Sequence, residues 1–330
     1  MGVTAPAVRL YVGGHASTIR GEPVDLSGHR CFTPVHAPPP HVDPSRLSYL
    51  LDSGAFSDPP SARLTPEAAL ERQLAWEERA ARVWGVHVPA EALVSYDRLI
   101  DEIWVGGVRI KRRWSEAEAW RAVDETVEAA AYLSSQRRRL HPRALVLAIQ
   151  GVTAEQYVAC ARQVLALAHQ DDWLGLGGWC ILGRWRSWLP EWFRTIQVVL
   201  PLASRAAILR IHVFGVLYLP ALGPLVWLAD RHGLAVSTDS TAPLLAAAGR
   251  NLAKAGARCQ YWRDNVRWWI DTLANLRETS YYRPPPVPAR QLALTDQDRL
   301  TLERGGPSSL ENVPPRKASE CFSPGERANG

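Results

Sequence analysis

Short apolar runs alternate along the chain with longer stretches of helical spacing, and that alternation is the pattern of parallel βαβ units. Seven runs read as strands, at residues 9–12, 48–51, 93–96, 144–149, 173–176, 209–214 and 234–238. An eighth is expected near 258–261. Between them, helix signals are local and chemical. Thr65 is an N-cap, Pro66 suits the first helical position and Gly85 can end the helix. Ser115 and Glu118 have the spacing of a capping box, opening a helix to about residue 138. Residues 153–169, 243–255 and the Trp- and Arg-rich stretch 261–277 also have helical spacing. The expected fold is an α/β chain, a (β/α)8 TIM-type barrel over residues 1–283. Such a barrel takes about 250 residues. Residues 284–330 are rich in Pro, Gly, Ser and charge, and are expected to be a disordered tail. Residues 34–44, with their run of prolines, read as an irregular loop.

The composition permits this. Hydrophobic residues make up 47% of the 330 residues and charged residues 22%, enough for a large core. The net charge of +5 permits a polyanionic partner without requiring one. Lysine occurs only at Lys111, Lys254 and Lys317, so the arginine excess reads first as coding bias. Cys31, Cys160, Cys180, Cys259 and Cys321 are odd in number and lack CxxC spacing, which argues against a disulfide framework and fits a reducing cytoplasm. No basic-then-apolar leader opens the chain. The most apolar stretch, 198–228, is interrupted by Arg205, Arg210, His212, Pro220 and Pro224, so no membrane span and no membrane partner is expected. Lys111-Arg112-Arg113-Trp114 and the Arg184-to-Trp188 segment interleave cations with indoles, which fits a surface that grips phosphates and stacks bases and equally a solvated face with Trp half-buried under Arg stems. Arg137-Arg138-Arg139 precedes a strand and reads as a solvated helix end. His15 and His212 lie in or near strands. Neither has a second histidine and a carboxylate at ligand spacing, so no metal is expected, and a lone strand histidine reads as a hydrogen-bonded core residue.

In a parallel barrel the reactive groups sit just past the C-terminal ends of the strands. Those positions hold Asp52, Asp97, Gln150, the pair Gly177 and Gly178, Phe214 with Gly215, and Asp239. Each alone has a bland reading as turn former, helix cap or core. Together they place three carboxylates and an amide at one rim, which is costly unless a ligand uses them.

The ordered series DSGAF, YD, IQG, GLGG, HVFGV and TDS, across roughly residues 8–243, resembles the barrel of tRNA-guanine transglycosylases, and more closely their paralogues that insert 7-deazaguanines into DNA. The resemblance implies that Asp239 is the nucleophile and Asp52 the general acid/base. It implies that Asp97 and Gln150 read the polar edge of a guanine-like base, that Gly178 is a backbone donor to its carbonyl oxygen, and that Gly177 belongs to the same substrate-binding set. Phe56 and Phe214 fall where the family sandwiches the base. The implied partners are DNA, a free 7-deazaguanine such as preQ0, and accessory proteins that open DNA. No redox cofactor or nucleoside triphosphate is called for. Three departures turn the expectation from tRNA toward DNA. Only Cys259 and Cys321 follow Asp239, so the CxCxxC zinc motif of the tRNA enzymes is missing. Ser57 stands where those enzymes usually have Gln, and no RNA-binding domain follows the barrel. The alternatives are a tRNA transglycosylase of the queuosine or archaeosine pathway, a non-catalytic nucleic-acid-binding barrel subunit, and a glycoside hydrolase using water as acceptor.

Overall fold

A computed structural model of the chain describes residues 5–14, 18–19, 22–23, 28–59, 62–98, 102–105, 108–111, 115–179, 188–247 and 262–286. Eight parallel strands close into a TIM-type barrel: β1 (Val8–Gly13), β2 (Gly28–Phe32), β3 (Leu47–Leu51), β4 (Ala92–Val94), β5 (Ala144–Ile149), β6 (Trp173–Leu176), β7 (Arg210–Val213) and β8 (Ala235–Ser240). β1 closes the ring against β8, with Tyr11 opposite Asp239, and against β2, with Gly13 opposite Cys31.

The eighth place is therefore filled between the first and second expected strands, by Gly28–Phe32 and not by residues 258–261, which lie outside the described residues. No α-helix separates β2 from β3; the connection is a loop ending in a 3-10 turn at Pro44–Arg46. Helix α1 (Pro66–Trp84) covers that side instead. Its Trp76 ring packs on Phe32 of β2 and Tyr49 of β3. The indoles of Trp76 and Trp84 donate to the carbonyls of His36 and Pro39 at 2.8 and 2.9 Å, pinning the proline loop to the helix. Two tryptophans thus cover apolar surface that an intervening helix would otherwise cover.

The other helices among the described residues are α2 (Glu116–Ser135), α3 (Arg137–Leu140), α4 (Ala154–Leu165), α5 (Leu189–Arg205), α6 (Leu219–Arg231), α7 (Ala242–Ala247) and α8 (Trp262–Ala274). Thr65 caps α1 and Gly85 ends it in the left-handed region, as expected. Capping boxes open both α2, at Ser115 and Glu118, and α4, at Thr153 and Gln156. α8 packs on β1 and α7. Arg137 is not a solvated helix end: its guanidinium makes two 2.6 Å bonds to the fully buried carboxylate of Asp172. The Arg112–Trp114 and Arg184–Ser187 segments, His15 and residues 287–330 lie outside the described residues. Among the described residues no helix is long and apolar enough to cross a membrane.

The barrel is filled, not hollow. Tyr11, Leu50, Ala92, Val94, Val146 and Trp173 pack together inside it, with Cys31 and Phe214 against them. Below them, at the N-terminal rim, Glu91 organises a polar plug. Its Oε1 accepts from Arg9 at 3.1 Å and Arg210 at 2.9 Å, and its Oε2 accepts from Tyr11 at 2.7 Å and Ser48 at 2.6 Å. Burial alone would raise the Glu91 carboxyl, but the Ser48 and Tyr11 hydroxyls and the Arg210 guanidinium hold it below its ordinary range. A depressed carboxyl stabilises the fold above its unfolded value of about 4.3, and that contribution is lost as pH falls below it. Glu91→Ala strands two guanidiniums and two hydroxyls inside the rim. We expect it to cost about 2–4 kcal/mol at neutral pH. Urea melts at pH 7 and at pH 3 check this: the deficit of the variant should shrink at the lower pH.

Candidate active site

The C-terminal ends of the strands gather the sequence-predicted residues around the barrel mouth. Asp52 follows β3 directly, and its backbone N–H donates to the Phe32 carbonyl at 2.8 Å, so the ladder between β2 and β3 runs up to the carboxylate. Gln73 of α1 braces the same point. Its amide nitrogen lies 3.0, 3.2 and 3.1 Å from the carbonyls of Leu51, Asp52 and Val94, tying the ends of β3 and β4 together. The turn that follows is held by Arg72, which forks onto Asp58 at 2.9 Å through both terminal nitrogens and donates to Ser53 O at 2.7 Å. Tyr96 closes the clamp with a 2.8 Å bond to Asp58. Phe56 rides on this turn, 44% exposed. Phe214 packs against the cluster inside the barrel and meets His212 in a T-shaped contact, ring centroids 4.8 Å apart. The structure thus puts one aromatic of the expected pair on an open turn and the other inside.

Asp97 and Gln150 meet. Both are buried, and the Gln150 amide nitrogen donates to Asp97 Oδ2. Arg63 holds the Asp97 backbone carbonyl at 2.7 Å. Burial pushes the Asp97 carboxyl upward against the opposing pull of Gln150 and Arg63. With the amide nitrogen committed to Asp97, Gln150 Oε1 is buried with no partner among the described residues. An orphan acceptor there carries a desolvation penalty of about 1–3 kcal/mol until something donates to it. The next strand leaves it room. A Cβ at Gly177 would sit 2.0 Å from the Gln150 amide nitrogen, and Gly178 has φ 82°, where a side chain is strained. The backbone of Gly177 is occupied, its N–H by Ile149 O at 3.0 Å and its carbonyl by the Tyr157 hydroxyl at 2.6 Å. Its contribution is clearance for Gln150.

Asp239 projects from β8. Its Oδ1 accepts from the Gly215 backbone N–H at 2.9 Å and lies 3.1 Å from His212 Nε2. The side chain stays 21% exposed, and Oδ2 has no hydrogen-bond partner among the described residues. Asp52 and Asp239 are close enough to act on one another. The Asp52 carboxyl is pushed up to about 7, first by burial, then by the charges of Asp239 and Asp97, against weaker help from the N–H groups of Ser53 and Gly54. Cys31 of β2 reports the same convergence. Burial raises its thiol well above the ordinary value, and Asp239 and Asp52 add to it.

Sequence reasoning left out three participants: Cys31, because its strand was not placed; Tyr157, which anchors the glycine loop; and His212, read only as a core residue. His212 is fully buried and hydrogen-bonded, as expected, but one of its partners is Asp239. Among the described residues no cluster of three or more His, Cys, Asp or Glu side chains is arranged to hold a metal ion.

Neither a protein-family model nor a curated protein matches the chain. Among solved structures, a candidate lyase/mutase from Burkholderia cenocepacia J2315 aligns over 88% of this chain and 90% of its own, at 16% identity and a TM-score of 0.39. An L-ribulose 3-epimerase aligns over 77% and 89%, at 13% identity and a TM-score of 0.34. Likenesses at that level bear on neither substrate nor reaction.

Proposed function

We propose that this chain is an enzyme, a pentosyltransferase that exchanges guanine in DNA for a 7-deazaguanine base. The observation that carries the proposal is the convergence of Asp52 and Asp239 on one mouth in unlike settings. Asp52 is pushed up to about 7, where it can give and take a proton at neutral pH. Asp239 has one oxygen held by N–H donors and the other without a partner among the described residues. Two carboxylates so differentiated suit a double displacement at an anomeric carbon.

In the first step Asp239 bonds to C1′ as the C1′–N9 bond of guanine breaks, and Asp52 supplies a proton to the departing base. In the second, N9 of the incoming base bonds to C1′, Asp52 takes the N9 proton back, and the Asp239 ester breaks. Two inversions retain the configuration. Asp97 and Gln150 Oε1, which has no partner among the described residues, offer acceptors matched to a guanine-type donor edge, so a base lacking those donors leaves buried acceptors unpaired. A barrel mouth cannot reach a stacked base, so the target nucleotide is flipped out or already unpaired, and Phe56 and Phe214 offer it new faces. Accessory proteins that open DNA fit this requirement.

The test is incorporation of labelled preQ0 into single-stranded DNA, duplex DNA or tRNA, with Asp239→Asn as control. Label in DNA that depends on Asp239 is the expected result. Label in tRNA alone moves the proposal to the tRNA branch. Label in neither, with free sugar released from small glycosides, points to a glycoside hydrolase.

A further inference from the structure

We infer that His212 is a positioning residue that selects which oxygen of Asp239 does chemistry. The inference rests on the reading of Asp239 as nucleophile. The imidazole sits inside the barrel on β7, fully buried, with its edge or face against Tyr11, Trp173 and Phe214 at centroid distances of 6.1, 6.4 and 4.8 Å. Full burial among these rings and a hydrogen bond at each ring nitrogen hold its orientation. Its Nδ1 is 3.0 Å from Ser237 Oγ and its Nε2 is 3.1 Å from Asp239 Oδ1. A carboxylate only accepts, so the hydrogen of that second bond belongs to Nε2. Ser237 and Asp239 are two apart on β8, on the same face of the strand. The histidine therefore bridges its own strand to the neighbour at two points.

The Gly215 N–H donates to the same Oδ1 at 2.9 Å. Among the described residues, two donors converge on one oxygen and none on the other. Rotation of the carboxylate would break both bonds, so its plane is fixed. Oδ2 keeps its lone pairs and is the atom that bonds to C1′ as the bond from C1′ to the base breaks. Oδ1 becomes the carbonyl oxygen of the ester and stays hydrogen-bonded throughout. A leucine at position 212 fills similar volume but removes the Nε2 donor and lets the carboxylate turn. A glutamine returns an N–H donor to that place.

Three measurements test this. Single-turnover formation of the protein–nucleic-acid adduct should fall about 100-fold in His212→Leu, the scale expected of a misplaced reacting group. Nucleic-acid KM should be nearly unchanged, and His212→Gln should recover most of the rate. Selective 15N-histidine labelling gives an arm independent of turnover. A slowly exchanging Nε2–H resonance, absent in His212→Gln, should be lost or strongly shifted in Asp239→Ala. Equal rates for the Leu and Gln variants, or a resonance indifferent to Asp239→Ala, overturn the role of His212. If the wild-type protein exchanges no base on any nucleic acid while the resonance responds to Asp239→Ala, the proposed function falls and the positioning bond stands.

Discussion

Asp239→Asn is expected to reduce base exchange by at least about 10⁴-fold, the scale seen when an enzyme's covalent nucleophile is removed. The substitution is well suited to the question because the fold has little reason to notice it. The two groups that hold Asp239, the Gly215 N–H and His212 Nε2, both address Oδ1. An asparagine placed with its carbonyl oxygen there keeps both bonds. Its amide nitrogen then replaces Oδ2, which has no hydrogen-bond partner among the described residues. What the proposed mechanism loses is a negative charge and a nucleophilic lone pair beside the anomeric carbon. A factor of 10⁴ is about 5.5 kcal/mol of barrel-mouth electrostatics and covalency. Thermal melts should show no loss in the variant, with a gain above about pH 7 where the repulsion between Asp239 and Asp52 is relieved, and no adduct should survive a denaturing gel. Exchange within tenfold of wild type would remove Asp239 from the nucleophile's place. A large loss of melting temperature would mean that the charge holds the barrel together.

Most of the rim was legible because strand ends in a parallel barrel have a chemical signature: an apolar run stops and a polar residue follows. Asp52, Gln150 and the Gly177–Gly178 pair follow β3, β5 and β6 in that way, and Asp239 lies at the polar end of β8. Gly28–Phe32 failed that reading for physical reasons. It is short, and three of its five residues are Gly, His and Arg. His29 is exposed and packs edge-on against Tyr11, and Arg30 is buried. A strand lined by polar residues on both faces has no two-residue hydrophobic period. It also lacks a following helix, because Trp76 and Trp84 reach over from α1, so the βαβ spacing that exposed the other strands is missing here.

The hydrogen-bond partners were illegible for a different reason. Glu91 stands before β4 with nothing in its neighbourhood to single it out, yet four groups from β1, β3 and the start of β7 converge on it. His212 and Asp239 are 27 residues apart. Only the register that sets His212 opposite Ser237 brings them together. Strand existence is a local property of sequence; which side chains share a layer of the barrel depends on closure, and closure needed the strand that was not seen. Arg137 shows the same limit, because its partner Asp172 is supplied by the turn before β6.

Asp52→Asn is expected to slow adduct formation while making the protein more stable, and the two effects share one cause. Burial and the charges of Asp239 and Asp97 push the Asp52 carboxyl up to about 7. In the unfolded chain an aspartate titrates near 3.9. A carboxyl raised on folding binds a proton more tightly in the native state, so native stability falls as pH rises from about 4 to about 7. Above that window the wild-type protein carries the full penalty of a third negative charge in a crowded mouth. Asparagine never ionises and escapes it. The variant should therefore gain about 2–4 kcal/mol at pH 8 and almost nothing at pH 3.5. Adduct formation should move the other way. Protonation of the departing base needs the acid form, so the wild-type single-turnover rate should decline as pH rises through about 7. Asn cannot donate that proton as an acid, so the rate should drop by about 10²–10⁴-fold and lose that limb. A variant that is slower, flatter in pH and harder to melt at pH 8 is the joint signature of a proton donor held in place at the expense of the fold. A variant that loses activity without gaining stability, or that keeps the wild-type limb, would assign the limb to another group and leave Asp52 as a structural carboxylate.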